Sequence, residues 1–153
     1  MIRLSRLTDY AVALLSHMGK EAPKKLWAAS DLAETSGLPM PTVAKILKLL
    51  AKSDLITAQR GASGGYKLTR ETADISVADI IEAMDGPIAI TDCAEGSSHS
   101  GCNIESICPM SDGWNKVNRA MREALQKVSL AEMTLQPHRV RQAANDAQPA
   151  SGA

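Results

Sequence analysis

The chain has 153 residues, 17 Lys and Arg against 17 Asp and Glu, and 44% apolar side chains. That length supports one hydrophobic core with an appended element, not several independent domains. No apolar stretch approaches the length of a membrane span, and the N-terminus lacks a secretory leader, so the expectation is a soluble, cytoplasmic protein with no membrane partner. Phe is absent and there are only two Trp and two Tyr, so the core must be built from Leu, Ile, Val, Ala and Met, the inventory of packed helices. The neutral total hides a split. Residues 1–70 carry eleven Lys and Arg against five acids, whereas residues 71–153 carry six against twelve. The first half is suited to a polyanion.

Tyr10, Leu14, Leu15 and Met18 recur at helical spacing and predict a first helix from about Ser5 to Met18, broken by Gly19. Asp9 falls in its first turn, where the helix dipole favours a carboxylate. Ser30 is the expected N-cap of a short helix, Asp31 to about Ser36, stopped at Gly37. Pro41 suits a first helical position, and Val43, Ile46, Leu47 and Leu50 form the buried stripe of a helix ending near Lys52. That stripe leaves Thr42, Lys45 and Lys48 facing outward. A short helix, a tight turn and a second helix with a basic outer face is the layout of a helix-turn-helix, whose second helix enters the major groove of double-stranded DNA.

Residues 55–59 and 66–68 read as short strands joined by Arg60-Gly61-Ala62-Ser63-Gly64-Gly65, a β-hairpin wing. Arg60, Ser63, Gly64 and Gly65 are therefore expected to contact DNA backbone or minor groove. Ser76 and Asp79 form a capping box opening a helix to about Met84, closed by Asp85-Gly86-Pro87.

All three cysteines, Cys93, Cys102 and Cys108, fall within sixteen residues rich in Gly and Ser. Such a segment can wrap three sulfurs round one centre, and an odd count argues against a closed disulfide framework. Zinc and iron–sulfur clusters usually take four ligands, so a fourth must come from elsewhere. Residues 71–113 contain no Lys or Arg, and such surroundings hinder thiolate formation unless a cation is bound. Beyond the cysteines, Ser111 is the expected cap of a long helix carrying Trp114, Val117, Met121, Leu125 and Val128 as a near-heptad seam, which a second copy of the chain would cover. Ser129 and Glu132 form a capping box for a short terminal helix to about Leu135, and a disordered tail is expected from 136.

The opening RLSRLTDYAVALL, the segment GLPMPTVAKILKLLAKSDLI, the wing RGASGGYKL and the three-cysteine stretch together resemble the bacterial Rrf-two family of winged-helix regulators, the IscR and NsrR type, over about residues 1–135. The resemblance implies a homodimer held by the long helix and a sensing iron–sulfur cluster, 2Fe-2S favoured over 4Fe-4S. Within that family the chain looks most like the regulators of SUF iron–sulfur assembly genes, which implies a repressor of such genes. The first cysteine interval is longer here than in IscR, and Ser111 stands where IscR-like proteins present a ligating His. Asp9 matches the position from which NsrR-like proteins supply a carboxylate across the dimer, and His99, Glu105 and Ser111 are the other fourth-ligand candidates.

The expected organisation is mainly α with a small β-hairpin: a winged helix-turn-helix at 1–86, a cysteine-rich segment at 87–110, a dimerisation helix and short terminal helix at 111–135, and the tail. The expected function is a cluster-dependent repressor with no small-molecule substrate and no enzymatic activity. Alternatives are a nitric-oxide or redox-sensing repressor of other genes, and a zinc-stabilised adaptor using Cys93, His99, Cys102 and Cys108.

Overall fold

The computed structural model describes residues 3–20, 25–91 and 108–134. Cys93, Cys102, His99, Glu105 and the tail after 134 lie outside the described residues. Helix α1 (Arg6–Gly19) starts where the Ser5 hydroxyl accepts the Thr8 N–H at 3.1 Å, and it buries Ala11, Leu14, Leu15 and Met18. Helix α2 (Ala29–Ser36) ends at Gly37, whose left-handed φ of 69° favours glycine. Helix α3 (Met40–Lys52) follows at once and buries Val43, Ile46, Leu47 and Leu50. Strands β1 (Ile56–Gln59) and β2 (Gly65–Leu68) pair antiparallel, Ile56 opposite Leu68 and Gln59 opposite Gly65. Helix α4 (Val77–Asp85) begins with a complete capping box: Asp79 N–H donates to the Ser76 hydroxyl at 3.1 Å, and Ser76 N–H donates to the Asp79 carboxylate at 3.0 Å. Helices α5 (Ser111–Gln126) and α6 (Leu130–Thr134) complete the described chain.

One core joins α1–α4, the hairpin and α6. Leu14, Leu15, Leu32, Ile46, Leu47, Leu50, Ile75, Ile80 and Leu130 are fully enclosed. Each such side chain stabilises the fold by about 1.5–3 kcal/mol relative to exposure. Helix α6 is tied in through backbone: Val77 N–H donates to Val128 C=O at 2.9 Å and Leu130 N–H to Ile75 C=O at 2.8 Å. Its own start is a second capping box, Ser129 with Glu132. No helix among the described residues is long and apolar enough to cross a membrane.

Four expectations are corrected. Ser30 is not an N-cap, because α2 starts two residues earlier than expected, with Ala28 in extended conformation before it and no side-chain cap. Pro41 takes the second helical position after Pro39 and Met40, where its missing N–H is equally harmless. Ser111 is already helical, with Met110 preceding it and no side-chain cap. Val128 lies past the end of α5, its backbone committed to the Val77 bond, so it is not part of a helical seam.

Candidate nucleic-acid interface and cysteine segment

Four buried positions fix the orientation of α3, and its opposite face is turned to solvent. Lys45, Lys48 and Lys52 are exposed there, whereas Thr42 is half-buried on one flank. Pro41 and Ala44 are also exposed, and Met40 is 46% exposed. No acid occurs in the helix, so nothing within α3 offsets its lysines.

The wing is a three-part structure rather than an isolated hairpin. Trp27 N–H donates to Tyr66 C=O and Tyr66 N–H donates to Trp27 C=O, both at 2.8 Å, which adds a one-residue third edge to the sheet. Gly65 lies against this edge, where an added Cβ would fall 2.6 Å from the Trp27 carbonyl oxygen. Its glycine is therefore required by the sheet itself, and Gly65 and Gly64 are only half-exposed. Arg60 and Ser63 are exposed at the turn. The Lys25 ammonium sits 4.1 Å from the centre of the Trp27 ring and adds a cation at the wing's base.

Asp9 is exposed in the first turn of α1, one residue from a buried polar contact the sequence does not announce. Thr8 is fully enclosed, and its hydroxyl donates to Asp85 Oδ2 at 2.7 Å. Ser5 N–H reaches the same oxygen at 3.4 Å. Asp85 is the last residue of α4, where a carboxylate opposes the helix dipole; the start of α1 offsets this by supplying donors. The beginning of the first helix is thus held to the point from which the chain departs toward the cysteines.

Cys108 is half-buried with a free thiol, three residues before α5. Ser111 is half-buried at the helix start. Helix α5 lies across α4, where Arg122 and Glu82 form a 2.9 Å ion pair, and the buried Asn118 accepts the Ile90 N–H at 3.2 Å. Met121 and Leu125 are half-buried and line a cavity of about 530 Å³ with Arg3, Leu4, Ile81 and Ile88. Trp114 and Val117 are 41% and 47% exposed. The expected seam therefore divides: its C-terminal part packs on its own chain, and its N-terminal part faces solvent.

Two helices around a tight turn, the second presenting lysines, and a hairpin beside it define a winged helix-turn-helix of the DNA-binding regulator class. The family model for Rrf2, described as an iron-dependent transcriptional regulator, matches residues 4–136. The chain belongs to the Rrf2 family; it is a transcriptional regulator and not an enzyme. A helix-turn-helix-type transcriptional regulator of Mycobacterium tuberculosis is 31% identical over 149 residues, 95% of this chain and 90% of that one. The solved structure of T. potens IscR is 26% identical with a TM-score of 0.61, covering 99% of this chain and 94% of its own. CymR, the global cysteine regulator of B. subtilis, shares the fold with a TM-score of 0.65 at 23% identity, over 88% of this chain and 97% of its own.

Proposed function

We propose that this regulator is a homodimeric repressor whose operator binding depends on an iron–sulfur cluster, and that its targets are iron–sulfur assembly (SUF) genes. The observation that carries the reading is the cysteine distribution. Every thiol of the chain lies between residues 93 and 108, in a family described as iron-dependent. The donor set fits the group: three soft thiolate ligands, with Cys108 free and half-buried beside α5. Cys93, Cys102 and Cys108 would hold the cluster, 2Fe-2S in preference to 4Fe-4S. A bound cluster supplies a labile iron centre that oxygen, nitric oxide or iron shortage can attack.

The chain's own residues connect that segment to the reading head. Asp9, exposed at the start of α1, is the proposed fourth ligand, offered to the partner subunit. Thr8 next to it grips Asp85, the last helical residue before the chain runs toward Cys93. A change at the cysteines is thereby set against the end of the helix that packs behind α2 and α3. Lys45, Lys48, Thr42, Arg60 and the Ser63-Gly64-Gly65 turn are the proposed DNA contacts, and Trp114 and Val117 with Met121 and Leu125 the proposed dimer contacts.

Anaerobic purification with an absorption spectrum and iron and sulfide analysis tests this reading. A brown or red protein with stoichiometric sulfide is expected, and Cys108→Ala should be colourless. Asp9→Ala should keep its fold but bleach faster in air. A colourless protein containing zinc would overturn the cluster assignment. Cluster-independent retention of a SUF promoter fragment would overturn the proposed control.

A further inference from the structure

We infer that α3 reads thymine through an apolar patch, made by Met40, Pro41 and Ala44, that presses on thymine methyl groups in the major groove. The inference deepens the DNA-binding reading and rests on it. Large exposed apolar side chains among the described residues are Leu4, Met40, Met110, Trp114, Val117, Val128 and Met133. All but Met40 belong to the N-terminal arm or to the region from 110 onward; Met40 alone lies within residues 25–91. Its position is the first of α3, and recognition helices address bases mainly through their N-terminal residues.

Met40 does not stand alone. Ala44 is one turn on, and Pro41 is three residues before Ala44, so the three are neighbours on the helix surface, all exposed. The chain has placed Leu, Ile and Val on the other side of this helix and left these apolar groups facing water. What they could meet is limited by their surroundings. Lys45 and Lys48 border the patch, Lys52 extends the basic row, and Arg60 stands on the neighbouring wing, all exposed and with no acid in α3. The basic rim calls for a polyanion, and in the helix-turn-helix of a transcriptional regulator that polyanion is a DNA duplex, whose phosphates satisfy the rim. Within the major groove only thymine presents an apolar group, its C5 methyl; the other base edges are donors and acceptors. The patch has no hydrogen-bonding side chain and would leave those groups desolvated and unpaired, which disfavours G·C pairs at the same place. Lys45, next along, can give hydrogen bonds to guanine O6 and N7. The helix thus predicts a half-site in which one or two thymines precede a guanine contact.

Replacing thymine by deoxyuridine removes the methyl and nothing else. The full-length protein, purified anaerobically, is first used to select duplexes from a random library. Each thymine of the best duplex is then replaced singly by deoxyuridine, and binding is measured for the wild type, Met40→Ala and Ala44→Ser. All three proteins are checked for equal thermal stability, which exposed positions should preserve. One or two thymines per half-site should lose roughly three- to tenfold in affinity on demethylation. That loss should shrink to within twofold in Met40→Ala or Ala44→Ser, the signature of direct coupling. Sensitivity to demethylation that is equal in all three proteins, or absent throughout, overturns the thymine assignment while the DNA-binding reading stands. Failure to enrich any sequence removes both.

Discussion

The reading head and helix α5 are built on opposite principles. In residues 6–85 nearly every large apolar side chain finds a partner within the same chain, and Leu14, Leu32, Ile46 and Leu50 have no exposure at all. In α5 the sole buried residue is a polar one, Asn118, while Trp114 and Val117 face solvent. The first region is packed within the chain, with α6 closing its core; the second is an amphipathic helix with only part of its apolar surface covered. The contrast fits the proposed homodimer, in which a second copy would cover the part of α5 that this chain leaves open.

Three perturbations would break this contrast, and a fourth sharpens it. Ile46→Ala should cost about 2–5 kcal/mol in chemical denaturation, since α3 is fixed only through its buried stripe, and operator binding should fall with it. Trp114→Glu or Val117→Glu should leave the monomer's melting profile largely intact but weaken self-association by about 2–4 kcal/mol per dimer, read by sedimentation. Met121→Glu, half-buried against its own α4 side, should instead lower both stability and association. Wild-type protein that is monomeric at micromolar concentration would remove the contrast. Thr8→Val preserves shape but deletes the donor to Asp85, and should cost about 1–3 kcal/mol in chemical denaturation.

The smallest effect is one of pH. His17, in the last turn of α1, has its pKa lowered first by burial and second by Lys20. The unfolded chain therefore takes up this proton at a higher pH than the folded one. The neutral form's contribution to stability is fully present above the ordinary histidine value, and it is lost as pH falls through the lowered folded value. His17→Gln should flatten that part of the stability profile, measured by denaturant midpoints across mildly acidic pH.

Local features were legible in the sequence because they are encoded by neighbours. The helical stripes of α1 and α3 and the Ser76–Asp79 and Ser129–Glu132 boxes depend on spacings of three or four residues. Ser30 and Ser111 show the limit of the same logic, for a serine caps a helix only where the incoming chain is extended at that residue. Long-range pairings left no such trace. Trp27 joins the wing through two backbone bonds with Tyr66, and Thr8 meets Asp85 across 77 positions. Of the proposed site, the lysines of α3 were visible from periodicity. Met40 and Ala44 were passed over because apolar residues on a helix are first assigned to the core. The half-burial of Gly65 was hidden because the strand that confines it is one residue of a distant segment, Trp27.

The pairing of Ser76 with Ser129 has a consequence for how this architecture can vary. It joins the start of α4 to the start of α6, so everything between them in sequence, α5 included, runs between two points bonded to each other. Lengthening such an excursion is inexpensive: doubling a flexible connection costs only about 0.6 kcal/mol of closure entropy. A change in chain length between α4 and α5 can therefore be absorbed without re-registering the core contacts that α4 and α6 make.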